Sequence, residues 1–199
     1  MAPPLILLLL GLLYILLFGG LALLRREGLP TRLAIEGVIF TIAIAGLAAL
    51  TGFPISPLLF LVLLYLLTMR VRLLVDLGNL LARRGNHSAA ESAYRWALRL
   101  WPDETGRLAV QLNQGVLDIH RGRLDEAIAA FRRVLAQAGS GYLGVKQECG
   151  CHYNLGVAYQ KQGLDAQAAL EFNAVLETWP ASEYSRYASI ALERRRKGK

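Results

Sequence analysis

Apolar positions follow two rhythms along this chain. Up to residue 69 they come in continuous runs; beyond it they recur at the three- and four-residue steps of amphipathic helices. Residues 5–24 are an unbroken apolar run of twenty, enough to cross about 30 Å of hydrocarbon as a helix. A second run fills residues 33–51. A third begins near Pro54 and ends at Met69, with Ser56 and Pro57 reading as a capping hydroxyl and a proline at the first helical position. The expected spans are residues 4–24, 33–52 and 54–70, a transmembrane domain over residues 1–70. The third makes roughly 24 Å of helix up to Met69, short of a full crossing. Arg70 and Arg72 are therefore expected at the interface, with their charges among the headgroups. Nothing between Leu58 and Asn79 stops a helix, so this span should run straight into the domain that follows.

Composition sharpens the division. Hydrophobic residues make up 54% of the chain, and residues 1–69 hold only Arg25, Arg26, Glu27, Arg32 and Glu36 as charges. Nearly all of the formal net charge of +7 belongs to the remainder, as expected of two bodies in different solvents. The first run does not read as a cleaved leader: no basic region precedes it, and it ends in Leu-Leu-Arg-Arg instead of small residues. Arg25, Arg26 and Arg32 flank the first loop, the second loop (52–57) is uncharged, and Arg70, Arg72, Arg83 and Arg84 follow the third span. The positive-inside rule then puts the N-terminus outside and the C-terminal domain in the cytoplasm, with a bacterial plasma membrane as the expected location. Glu36 falls in the first turn of the second span, within reach of headgroup water. The span interiors lack carboxylates, histidines and lysines, which argues against a pore. Gly11, Gly19, Gly20, Gly37 and Gly46 offer thin surfaces to other membrane helices. Basic residues beside spans follow from lipid electrostatics, and no aromatic–basic pattern indicates nucleic-acid binding.

The amphipathic part repeats itself. Gly78, Gly85, Ala90 and Tyr94 are matched by Gly115, Gly122, Ala127 and Phe131, and again by Gly156, Gly163, Ala168 and Phe172. In each set the glycines are seven residues apart, the alanine follows after five and the aromatic after four. The spacing suits a helical hairpin. The first glycine admits the second helix, the second glycine makes the turn, and alanine and aromatic pack at the crossing. Asn86, Asp125 and Asp165 stand near the restarts, the two aspartates as candidate caps, and Pro102 and Pro180 follow the second helices. Tyr159 adds an aromatic on the first helix of the third set. At these positions the chain resembles the tetratricopeptide repeat, a helix–turn–helix unit of about 34 residues. His152 replaces its usual tryptophan, and Asp118 stands where a large aromatic is normal. The resemblance covers 71–180 and implies an all-α fold: three transmembrane helices, then an α-solenoid of about three hairpins (71–104, 108–138 and 149–181). A capping helix and basic tail (182–199) would close it.

The resemblance also implies a protein- or peptide-binding role, with the first helices lining a concave groove. By matched position its walls would be Arg72, Val75, Asn79, Ala82, Leu112, Asn113, Val116, His120, Tyr153, Asn154, Val157, Gln160 and Lys161. Val75 and Asn154 replace the basic residues of a terminal-carboxylate clamp, so that mode is not expected. Cys149, Cys151 and His152 lack the second pair a tetrahedral metal needs, and reduced structural thiols are the expectation. No catalytic constellation and no cofactor motif is present, so an enzyme is not expected. The run Arg194–Lys199 suits anionic lipid, an acidic partner or solvent. The function expected is a membrane-anchored interaction module, an accessory or scaffold subunit. Its spans would meet other membrane subunits and its repeats a cytoplasmic protein or peptide. The alternatives are a transport or membrane-insertion component, or a membrane-linked chaperone or regulator.

Overall fold

The computed structural model describes residues 3–24 and 31–197. Arg25, Arg26, Gly198 and Lys199 lie outside them, as do the side chains of Arg195, Arg196 and Lys197, so the first loop and most of the basic tail are not described. Among the described residues the secondary structure is helical throughout: α1 (Pro3–Leu24), α2 (Thr31–Thr51), α3 (Pro57–Arg83), α4 (His87–Arg99), α5 (Glu104–His120), α6 (Leu124–Leu135), α7 (Val145–Lys161), α8 (Asp165–Thr178) and α9 (Glu183–Lys197).

Helices α1, α2 and α3 are each long and apolar enough to cross a membrane. They pack as an up-and-down trio around Leu7, Tyr14, Ala45, Phe60 and Leu64. The α1–α2 contact uses missing side chains: a Cβ on Gly11 would lie 2.2 Å from Thr41 Oγ1, and one on Gly37 2.9 Å from Ile15. Gly19, Gly20 and Gly46 meet nothing within 4 Å and remain thin outward surfaces. The rings of Phe40 and Phe60 stack with centroids 5.9 Å apart, and Tyr14 Oη lies 2.7 Å from Thr68 Oγ1.

Helix α3 is continuous over 27 residues, joining the third apolar run to the first repeat without a linker. It starts at Pro57, three residues later than Pro54. Ser56 holds the extended N-cap backbone, but its hydroxyl makes no cap hydrogen bond, so proline pre-organisation alone starts the helix.

Beyond residue 70 the helices pair as α3–α4, α5–α6 and α7–α8, with α9 closing the array. The repeated spacing has one physical cause. A Cβ on Gly78 would lie 2.3 Å from the Tyr94 ring, one on Gly115 2.8 Å from Phe131, and one on Gly156 2.7 Å from Phe172. Each aromatic is seated on the glycine of its own hairpin. Gly85, Gly122 and Gly163 turn the chain at φ of 77° to 78°, where a side chain would be strained. Ala90 and Ala127 are fully buried at the crossings and Ala168 nearly so.

Neither expected cap is one. The side chains that cap are Asn86, which accepts from the Ala89 amide, and Asp103, which accepts from Gly106. Asp125 and Asp165 instead fall within the first turns of α6 and α8, where their charge complements the helix dipole without capping it. Asp125 accepts a hydrogen bond from Gln162 of the next hairpin, 2.6 Å away. The first helices also begin earlier than the repeat pattern suggests, α5 at Glu104 and α7 at Val145. Tyr184, Ala188, Ala191 and Leu192 of α9 cover the end of the core.

Candidate binding groove

The three first helices and the inner ends of the apolar trio enclose a cavity of about 540 Å³. Arg72, Val75 and Asn79 reach it from α3, Leu112 and Asn113 from α5, and Lys146 and Gln147 from α7. Its other wall comes from Phe18 and Leu21 of α1 and from Arg32, Leu33 and Glu36 of α2. Repeat spacing identifies the first set but carries no information about the second, because the relation of α1 and α2 to the solenoid exists only in three dimensions.

The remaining expected wall residues lie elsewhere. Val116, Tyr153 and Val157 are half-buried against the core of the second and third hairpins. Tyr153 stands among Phe172, Tyr184 and Tyr187, with centroids 5.8 Å to 6.0 Å away. Asn154 turns its amide to the carbonyl of Gly150 on its own helix. His120 is exposed at the end of α5, its ring 6.4 Å from that of His87, and Gln160 and Lys161 are exposed at the end of α7. The cavity thus lies at the end of the solenoid next to α1 and α2.

Hydrogen bonding fixes parts of its lining. Tyr94 donates to Asn79 Oδ1 at 2.6 Å, and burial pushes that phenol up to about 12. Asn113 donates to the Ala109 carbonyl at 2.7 Å. Arg32 Nη1 and Gln147 Oε1 are buried and have no hydrogen-bond partner among the described residues. Trp101, between α4 and α5, takes φ 47°, a conformation bulky residues rarely adopt, and presents a largely exposed indole at the cavity.

The Arg70 side chain is turned into the protein. The guanidinium embraces Glu36 of α2, with Nη2 donating to Oε1 at 2.8 Å and Nη1 to Oε2. Its Nε donates to the carbonyl of Leu100, at the end of α4, at 3.1 Å. Arg32 stands 3.6 Å from the same carboxylate. One partly buried side chain thereby joins α2, α3 and α4, with Glu36 as its ion-pair partner. Arg72 lines the cavity.

Cys149 and Cys151 are buried free thiols. Burial and the nearby Glu148 charge push the Cys149 thiol up to about 11 and that of Cys151 higher still, the opposite of an activated nucleophile. His152 pairs with Glu171 at 2.7 Å. Among the described residues no group of three or more histidine, cysteine or acidic side chains is placed to hold a metal.

Residues 75–142 and residues 151–182 each match the tetratricopeptide repeat. The C-terminal domain belongs to the tetratricopeptide repeat family. A stretch of 74 residues is 40% identical to Protein POLLENLESS 3-LIKE 2 of Arabidopsis thaliana, covering 37% of this chain and 16% of that relative. The chain therefore spans a small part of the length of the curated relative it matches. No solved structure matches it. Tetratricopeptide repeats make the C-terminal domain a protein–protein interaction module, and the glycine–aromatic seats described above are the contacts that hold its hairpins in family register.

Proposed function

We propose that this protein is a membrane-anchored adaptor, an accessory or scaffold subunit whose groove receives a polypeptide segment of a partner close to the membrane surface. The observation that carries this reading is the composite cavity: a binding site of the repeat domain whose second wall is made by the anchor. Its lining mixes apolar Val75 and Leu112 with Arg72, Asn79, Asn113 and Lys146, a combination suited to a helix or extended segment. A partner that enters this site must reach the mouth of the helical trio, as a neighbouring membrane protein's flanking segment does. Gly19, Gly20 and Gly46, where a Cβ would meet nothing within 4 Å, support lateral contact with such a subunit. Loop charge supports an outside N-terminus and cytoplasmic repeats.

A photo-crosslinking amino acid at Asn113, with Arg133 on the second helix of the same hairpin as control, tests the site in native membranes. A discrete protein adduct at 113 only, lost when Leu112→Glu is added, is the expected result. Equal labelling at both positions would overturn the assignment.

A further inference from the structure

One side chain fixes the depth of the corner between α4 and α5. Arg70 of α3 donates through Nε to the Leu100 carbonyl at 3.1 Å and through Nη2 to Glu36 of α2 at 2.8 Å. The end of α4 therefore stands level with the residue that follows the third apolar run, and with a carboxylate inside the first turns of the second candidate span. That level is bracketed from both sides. Leu66, 51% exposed, lies one turn beneath Arg70, about 6 Å deeper along α3 and within the apolar run. At the level itself, exposed Arg99 and the non-helical backbone of residues 100–103 exclude hydrocarbon, which accepts neither an exposed charge nor irregular backbone. Between the two lies the layer of lipid headgroups, about 5–7 Å deep on each side of a bilayer.

The side chains of the corner suit that layer. Trp101 is 76% exposed, and Trp96, one turn back along α4, is 56% exposed. Helix α4 runs toward the spans, and the Arg99 guanidinium lies 5.2 Å from the Trp96 ring. Its charge is thus drawn back along the helix, away from the spans, while an indole occupies the lowest place. Tryptophan at the boundary with basic groups just outside it is the composition of a bilayer interface. The next corner repeats the feature. Thr105, in the first turn of α5, donates its hydroxyl to the Tyr142 carbonyl at 3.1 Å, which sets the α6–α7 connection beside the α4–α5 corner. Tyr142 is 40% exposed. The glycine turns inside the hairpins stand at the opposite edge, about 25 Å away along α5.

We infer that Trp96, Trp101 and Tyr142 form a membrane-surface edge of the solenoid, seated among the phospholipid headgroups of the bilayer that holds α1–α3. This rests on the membrane reading of those helices and adds to it a direct contact between the repeat domain and the same bilayer. The occupant of the edge is lipid and not protein, because its depth is tied to the spans: any bilayer that surrounds α3 up to Met69 brings headgroups to Trp101. Since Trp101 also lines the cavity, one lip of the groove lies at the lipid surface.

The test uses full-length protein in phospholipid nanodiscs, with lipids carrying a nitroxide on the headgroup or in the middle of the acyl chain. Trp96→Phe with Trp179→Phe leaves position 101 as the single fluorophore. Adding Trp101→Phe with Leu63→Trp or Leu164→Trp moves it to the third span or to the opposite edge. Emission from 101 is expected to be quenched more by the headgroup nitroxide than by the mid-chain one, that from 63 in the reverse order, and that from 164 by neither. If 63 is quenched but 101 behaves as 164, water or a second copy covers the corner; the inference fails and the membrane reading stands. If 63 is also unquenched, both fail. Stronger quenching of 101 from mid-chain would place the corner in hydrocarbon and overturn the inference as well. A second readout keeps all three tryptophans: a spin label at Tyr142→Cys should be relaxed by nickel held on chelating headgroup lipids several-fold more than one at Leu164→Cys, and equal relaxation would count against the edge. The native thiols are buried and stay unlabelled.

Discussion

Gly78, Gly115 and Gly156 are helical positions where glycine is intrinsically unfavourable, by about 1 kcal/mol relative to alanine. On propensity alone Gly156→Ala would stabilise the protein. The Phe172 ring, 2.7 Å from the site of the new carbon and buried, decides the opposite sign, since overpacking a core costs about 1–3 kcal/mol and often more when a ring cannot withdraw. Gly156→Ala should lower the unfolding midpoint in detergent, and adding Phe172→Leu should recover part of the loss. An unchanged midpoint would show that the ring yields freely. These glycines are visible in sequence because three copies repeat them. Cys149 and Cys151 are both too buried to report which side of a membrane the domain occupies, so an orientation assay needs an introduced surface cysteine.

At the scale of elements, Arg70 ties α2 and α4 to α3, and its loss affects all three. Glu36 and Arg70 are each only about a fifth to a quarter exposed, so breaking the pair leaves an uncompensated charge in partly desolvated surroundings. Arg70→Gln is expected to destabilise by about 1–3 kcal/mol, below the range for fully buried pairs, and Glu36→Gln by a similar amount. The double variant should be less damaging than the sum, and a thermal-shift double-mutant cycle in detergent measures that coupling. Additive losses would mean the two groups act separately. Along the sequence both residues fall near the ends of apolar runs, with nothing to set them against each other. Their separation along the chain hides a contact made only when α2 lies antiparallel to α3, and the Leu100 carbonyl that completes the site carries no side-chain signature at all.

For the whole molecule, the continuity of α3 makes the phase of one helix set how the solenoid faces the anchor. A single alanine inserted after Val71 would turn everything beyond it by about 100°, displacing Arg72, Val75 and Asn79 from the wall shared with α1 and α2. Four alanines would restore the turn to within about 40° while lengthening the helix by about 6 Å. Crosslinking from Asn113 is expected to be lost with one inserted residue and partly kept with four. Equal retention in both would show that the groove works without its anchor wall.

The amino-acid sequence alone determined the all-α class, the continuity of α3, the hairpin register and the placing of Arg72, Asn79, Leu112 and Asn113 along one wall of a cavity. All of these are local or periodic properties, written by run length, helix period and repeated glycines. Tertiary structure decided what Arg70 and Glu36 do, that Val116, Tyr153 and Val157 support the core instead of the groove, and that α1 and α2 supply the cavity's second wall. Those facts depend on helices distant in the chain meeting at a given depth and angle, and neither hydrophobic period nor motif spacing encodes that meeting.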